Sequence, residues 1–353
     1  DSIRARFLRQ APEGEDLFVP TVKRVEFGDI SLGRRDLIGN NSGGRGIVLS
    51  NADSSRSREF DRITVEGQGP PGWELELYNN NQLLRLGVIE SDGEYHFDDV
   101  VLSYGNNRMR VIMYGPQGQI REEVFEYDIG SSLLSPGDVK YQFGLVDTGR
   151  PFIRLEEPDP TDDKPITTKN AELFYGLNSW LTLFGSYTQT PFNFKEEQYY
   201  TGGFAVNTPL GVGEVEGYRQ VNGGNAVDMR FITQLLGLRL NLRTAFFNKF
   251  ESQQAGVGTG AKHFEAEADV NTNLKIPFLP MSLRFNVLHR EFEDDSVTTT
   301  LETSQAFTGG GLRFNHATTS RFVDEKHESS SGSMNVNWNN GPWQTRGGFN
   351  YEI

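Results

Sequence analysis

From about residue 131 onward the chain alternates apolar and polar positions with a period of two. In FEAEADVNTNL, Phe264, Ala266, Ala268 and Val270 alternate with Glu265, Glu267, Asp269, Asn271 and Asn273. LGLRLNLRT sets Leu236, Leu238, Leu240 and Leu242 against Gly237, Arg239, Asn241 and Arg243. MSLRFNV repeats the rule with Met281, Leu283, Phe285 and Val287 against Ser282, Arg284 and Asn286. WLTLFGSYTQ and DVKYQFGL follow it more loosely. Successive side chains of a strand point to opposite faces, so this pattern puts an apolar environment on one side of a sheet and a polar one on the other. About eleven such segments of roughly ten residues fit after residue 131, the length a tilted strand needs to cross a bilayer. Open strand edges in lipid would leave backbone groups unpaired, so the sheet is expected to close on itself as an antiparallel transmembrane β-barrel. A large soluble β protein supplies the same alternation with a dry core inside and water outside, and is the rival reading.

The preceding residues have other textures. Residues 1–59 contain VKRVEFGDISLG and GGRGIVLSN, short alternating stretches between Gly, Asn and Ser clusters, and are assigned to two or three first barrel strands. Residues 60–130 read as a separate module. FDRITVEG, WELELY, EYHFDDV, NRMRVIMYG and REEVFEYDI are five short strands, with NNN, SDG, YGNN and GPQG as turns between them. Closely spaced strands with regular turn signals predict an immunoglobulin-like β-sandwich. Trp73, Leu75 and Leu77 fall on its core face, and Glu74 and Glu76 are expected to face water. Residues 131–353 form the remaining transmembrane strands.

Composition narrows the function classes. The formal charge of −14 over 353 residues argues against a nucleic-acid partner, which would require a cationic patch, and fits an acidic surface or lumen. No apolar run of about eighteen residues occurs, which excludes a transmembrane helix and leaves a β-barrel open. The chain has no cysteine, hence no disulfide framework and no thiolate site. Asp1 to Gln10 lacks the apolar core of a signal peptide, so either a mature form begins here or the chain is a piece of something longer. Tyr199, Tyr200, Tyr218, Phe246, Phe247, Phe250, Trp338 and Trp343 lie near strand ends, where an interfacial girdle would place them; core packing explains most of them equally well.

Candidate chemistry is sparse. His96, His263, His289, His316 and His327 show no metal-ligand spacing. GVGTGAK, from Gly256 to Lys262, lacks the ending of a phosphate-binding loop and reads as a flexible hairpin loop. Glu265, Glu267 and Asp269 share one strand face, and EEPDPTDD, from Glu156 to Asp163, is a proline-broken acidic loop; either set has the oxygen ligands for calcium, and a hydrated wall and a mobile loop are the plainer readings. Neither a nucleophile elbow nor an acid–base pair stands out, so neither an enzyme nor a cofactor is expected.

The order of the pieces carries a family likeness. FGDIS (Phe27 to Ser31), RGIVLS (Arg45 to Ser50), a sandwich insert, SLLSPGDVKYQFGLVDTG (Ser132 to Gly149) and LFYGLNSWLTLFGSYTQ (Leu173 to Gln189) together resemble the outer-membrane usher of chaperone-usher pilus systems. The likeness runs from Val22 to Gln189, with generic barrel strands beyond. It implies a plug domain lodged in the aqueous lumen of a wide barrel, and so explains a soluble-looking module inside a membrane-type sequence. Ushers also carry periplasmic domains at both ends and about twenty-four strands, against about fourteen counted here. A fragment of a larger usher-like protein, completed by further barrel segments or chains, is therefore expected.

The resemblance further implies a gated secretion pore in the bacterial outer membrane. Its partners would be membrane lipid and chaperone-bound pilus or other surface subunits. Arg108, Arg110 and Arg121 on the insert and Glu265, Glu267 and Asp269 on the wall have complementary signs, and are the candidate gating contacts. The alternative is an extracellular all-β adhesin or carbohydrate-binding protein with no membrane-spanning part, in which Trp73, Trp338 and Trp343 stack on sugars.

Overall fold

A computed structural model describes residues 2–3, 5–11, 17, 22–30, 32, 36–39, 43–51, 62–80, 82–91, 93–102, 105–116, 118–129, 133–154, 167–193, 195–276, 279–340 and 343–353. Apart from one 3₁₀ turn at Gly258–Gly260, its elements are strands. Before the insert come β1 (Ser2–Ile3), β2 (Arg6–Gln10), β3 (Arg24–Ile30) and β4 (Gly44–Ser50). The insert holds β5 (Arg62–Gln68), β6 (Glu74–Asn79), β7 (Gln82–Val88), β8 (Glu94–Val101), β9 (Gly105–Tyr114) and β10 (Ile120–Ile129). After it come β11 (Val139–Thr148), β12 (Ile153–Arg154), β13 (Thr167–Asn178), β14 (Leu181–Phe192), β15 (Lys195–Thr208), β16 (Gly211–Gln220), β17 (Asn225–Leu235) and β18 (Leu238–Asn248). The last six are β19 (Lys262–Ile276), β20 (Leu279–Phe292), β21 (Val297–Gly309), β22 (Leu312–Val323), β23 (Lys326–Asn340) and β24 (Trp343–Glu352).

One antiparallel sheet of sixteen strands forms a wall, in the order β2-β3-β4-β11, then β13 through β24. It skips from β4 directly to β11, so the insert interrupts the chain without interrupting the sheet. The period-two rule governs which way each side chain points, but the burial is the reverse of a soluble protein's. Asn241, Glu265, Asp269, Asn271, Ser282, Arg284 and Asn286 are buried, whereas Leu242, Phe246, Phe285, Phe204, Leu173 and Phe143 stand exposed on the opposite face. A wall with an apolar outside and a polar inside is stable only against an apolar surround.

On the polar side sits the insert, a sandwich of a four-stranded sheet (β10-β9-β6-β7) and a two-stranded sheet (β5-β8). Ile63, Val65, Leu75, Leu77, Tyr95, Phe97, Met109, Val111 and Met113 fill the space between them. The same core runs on into the wall through Phe184, Ala205, Val212 and Ile232. A second apolar cluster joins Tyr78, Leu83 and Ile112 of the insert to Ala306 on β21. The insert thus touches β14 to β17 on one side and β21 on another, which requires the wall to curve around it.

Several expectations are corrected. Among the described residues the wall has sixteen strands, against the expected fourteen or so, because long strands such as β21 and β23 (Thr-, Ser- and Asn-rich) alternate too weakly to be seen as spans. Among the described residues the insert has six strands where five are expected: Gln82–Val88, in QLLRLGV, is a strand whose two adjacent leucines hide the period. Closure is not seen, since β2 and β24 are the two ends of the strand order and are not paired among the described residues. Glu76 does not face water: it is 2% exposed and lies against the wall. Of the girdle aromatics, Tyr199, Tyr218, Phe247 and Phe250 are buried on the inner side, while Tyr200, Phe246 and Trp338 are exposed. The Trp343 side chain lies outside the described residues.

Candidate functional site: the contact between insert and wall

Strand β6 places Leu75 and Leu77 in the sandwich core, so Glu76 and Tyr78 must project from the other face of the same sheet. Tyr114 on β9 projects beside them, since Glu74 pairs with Tyr114 and Glu76 with Ile112. Both tyrosine hydroxyls donate to Glu76 Oε2, each at 2.9 Å. From the wall, Asn315 Nδ2 donates to Glu76 Oε1 at 3.0 Å and to the Tyr78 hydroxyl at 3.3 Å. Arg313 Nη1 donates to the Tyr114 hydroxyl at 2.5 Å and stands 3.6 Å from Glu76 Oε2. A buried carboxylate is tolerable only when paired and hydrogen-bonded, and here the cation comes from a different structural unit. Burial, reinforced by the Glu76 charge, pushes the Tyr78 and Tyr114 phenols well above the ordinary tyrosine range, so both stay protonated as donors.

Backbone contacts extend the seat. Ser304 Oγ donates to Leu83 O at 3.0 Å, Gln82 Nε2 to Leu283 O at 3.3 Å, and Asn241 Nδ2 to Leu102 O at 3.3 Å. These bonds tie the insert to β18, β20 and β21.

A second contact crosses the inner side of the wall. Leu37 and Ile38, in the connection between β3 and β4, pack with Tyr199, Tyr218, Ala226, Ala245, Phe247, Phe250 and Ala255. Ser252 Oγ donates to Leu37 O at 2.5 Å, and Asp36 meets Arg230 at 2.8 Å. At Gly39, with φ of 130°, an added Cβ would lie 2.6 Å from Gln253 Cβ, so the two segments approach where only glycine fits. The loop after β18 is therefore a packed element. GVGTGAK includes a 3₁₀ turn at Gly258–Gly260, with Gly258 N donating to Glu251 Oε1 at 2.8 Å.

The wall carboxylates named from the sequence belong to an inner ion ladder. Glu265 meets Arg243 at 3.2 Å, Lys262 at 2.6 Å and Arg290 at 2.8 Å. Asp269 meets Arg284 at 2.6 Å, and Glu267 accepts from Asn286 at 2.8 Å. Arg243 continues to Asp228 at 3.0 Å, and Asp228 to Arg230. The insert arginines make ion pairs on their own hairpin: Arg108 with Glu126 at 4.0 Å, Arg110 with Glu122 at 2.7 Å, and Arg121 with Glu123 at 2.7 Å. The hydrogen bond from Arg110 holds the Glu122 carboxyl below its usual range. Arg110 also lies over the Tyr78 ring, 5.9 Å from its centroid.

The residues that do join insert to wall were missed in the sequence, and one signal was available. Glu76 shares its strand face with Tyr78, and an aromatic on a supposedly wet face indicates that the face is covered. Among the described residues no group of three or more His, Asp or Glu side chains is placed to hold a metal ion. His316 contacts Tyr351 and Thr318, His289 contacts Thr299, and His327 contacts Ser330. The acidic loop at 156–163 lies outside the described residues.

No family model and no curated protein sequence matches the chain. Solved structures do. The fold is that of the P pilus usher (PapC) translocation pore, at a TM-score of 0.55 and 11% identity, covering 99% of this chain and 70% of that one. A crystal structure of the usher PapC translocation pore aligns over 99% of this chain and 82% of its own, at 10% identity and a TM-score of 0.44. An E. coli P pilus tip assembly intermediate, PapC-PapD-PapK-PapG, aligns at a TM-score of 0.38 and 10% identity, over 94% of this chain and 47% of that one.

Proposed function

We propose that the chain is the pore-forming part of an outer-membrane, usher-like secretion channel, in which residues 62–129 are a plug. The observation that carries this is the inverted wall: apolar outside, charged inside, and curved around a module with its own dry core. The lumen is polar enough to hold a soluble domain, and the outer face is apolar enough to meet lipid. Its cargo would be pilus or other surface-protein subunits, delivered by a periplasmic chaperone.

Gating is then a two-state shift between a seated and a released plug. The seat consists of Glu76, Tyr78 and Tyr114 against Arg313 and Asn315. Arg108 and Arg121, exposed and paired along their own hairpin, keep that face of the plug charged and soluble. The wall ladder through Glu265, Glu267 and Asp269 neutralises lumen charge locally, so a passing protein would meet fixed ion pairs instead of bare charges.

Planar-bilayer recording tests the reading. The intact chain should give rare, brief openings, and a variant with residues 62–129 replaced by a short linker should give a large, steady conductance. A linker variant without conductance would defeat the pore reading. An intact chain that stays monomeric in water without detergent and binds oligosaccharides would favour the adhesin rival.

A further inference from the structure

The hairpin turns at the two ends of the wall differ in kind. At one end the turns after β13, β15 and β17 carry Trp180, Leu210 and Leu236, and Leu210 and Leu236 are 73% and 94% exposed. At the other end the turns after β20 and β22 carry Asp294, Asp295, Asp324 and Glu325. Leu236 also has a φ of 53°, while the other described non-glycine residues with positive φ are Asn80, Asn193, Asn222, Lys249, Asp295, Asp324 and Glu325. Asn and Asp tolerate that conformation and leucine does not favour it. The leucine is thus unfavourable twice over in water, once for its backbone and once for its exposure.

One backbone carbonyl in each of these three turns is met by protein. Asn207 N donates to Trp180 O at 2.9 Å, Thr233 Oγ1 donates to Leu210 O, and Thr272 Oγ1 donates to Gly237 O at 3.1 Å. These three carbonyls are met by the next hairpin and do not depend on water, which favours placing the turns in a water-poor layer. Exposed apolar side chains also continue from the rim along the outer face: Leu238, Leu242 and Phe246 on β18, and Leu183 and Phe204 on β14 and β15. Both linkers of the insert leave from this same end, Asn51 beside Val139 and Leu134 beside Thr182.

We infer that the rim formed by Trp180, Leu210 and Leu236 is a membrane-seated edge that enters the lipid interface, while the acidic turns at the opposite end project into water. This rests on the membrane reading above and adds the depth of one end: the plug hangs from the rim that lies flush with the lipid. Trp180 supplies the amphipathic ring suited to the headgroup level, and the leucines reach the acyl boundary.

The absence of cysteine allows single-site labelling without background. L236C, D295C and L242C would each carry an environment-sensitive fluorophore in the full chain, reconstituted in phosphatidylcholine–phosphatidylglycerol vesicles. The expected result is several-fold weaker iodide quenching at 236 than at 295, with quenching at 236 by a shallow doxyl lipid. A label at 236 as open to iodide as that at 295, with 242 still lipid-quenched, overturns the rim assignment and leaves the membrane wall intact. Iodide access at 242 as well overturns both. L210C makes the same measurement should L236C fail to fold.

Discussion

Asn315 of the wall donates its side-chain amide to Glu76 of the insert at 3.0 Å, joining residues 239 positions apart in the chain. The same carboxylate faces Arg313 at 3.6 Å, so one buried charge on the insert is balanced by a cation it does not own. Removing a single member of such a pair leaves a charge buried without its counter-ion, at a cost of about 3–5 kcal/mol. Arg313→Ala should therefore shift the seated-to-released ratio of the insert by about a hundredfold or more. Open probability in planar bilayers measures it, and Glu76→Gln combined with Arg313→Met should recover much of the closed state. An open probability unchanged in Arg313→Ala would remove this pair from the seat.

The insert arginines should behave differently. Arg108 and Arg121 are exposed, and they and Arg110 pair with carboxylates of the same hairpin. Exposed pairs contribute about 0–1 kcal/mol each. Alanine at Arg108 and Arg121 should leave both open probability and melting temperature nearly unchanged, and a large rise in opening would return the gate to these two residues.

The second crossing carries a packing prediction. Phe250 is fully enclosed, with Tyr199 at 5.6 Å and Tyr218 at 6.1 Å between ring centroids. Phe250→Ala leaves a cavity and should cost about 3–5 kcal/mol of stability. The loss should be seen as earlier unfolding in denaturant, together with faster proteolysis near residue 37, whose carbonyl depends on the neighbouring Ser252 for its bond. A variant as resistant as the parent would mean that the Leu37 segment is held by other contacts.

How much of this was legible follows from where the constraint lies. The wall was readable wherever a strand meets two contrasting environments, as at Phe264 to Asn273, because alternation is the direct imprint of that contrast. Where both environments are mild, as along Lys326–Asn340 with its serines and asparagines, the imprint fades and strands are lost from the count. The insert core was readable at Leu75 and Leu77 for the same reason. The seat was not, because Glu76 looks like any solvent-facing glutamate until a partner far along the chain covers it. Complementary signs set Arg108, Arg110 and Arg121 against Glu265, Glu267 and Asp269 as groups, and in the structure each arginine has a carboxylate within its own hairpin. Local pairs come at little entropic cost, so they take precedence over pairs that a long loop must close.

Alkali should loosen the seat, and the sign follows from the tyrosines. Free tyrosine loses its proton near pH 10. In the seated insert, burial is the first cause that raises the Tyr78 and Tyr114 phenols above that value; Glu76 travels with them on release, but the cover supplied by the wall does not, so the seated form holds its protons to higher pH than the released form. Below about pH 10 both forms are protonated and the full stability of the seat is present. As pH rises past that point the released form gains about 1.4 kcal/mol per unit for each tyrosine, until the seated phenols themselves ionise. Arg313 stays charged throughout this range and cannot account for the change. Open probability should therefore be flat from neutrality to about pH 10 and climb above it. Lysines titrate in the same window, so the decisive comparison is Tyr78→Phe with Tyr114→Phe, which removes both ionisable phenols and should flatten the climb. An identical rise in that double variant would assign the alkaline transition to the lysines and leave the tyrosines as packing groups only.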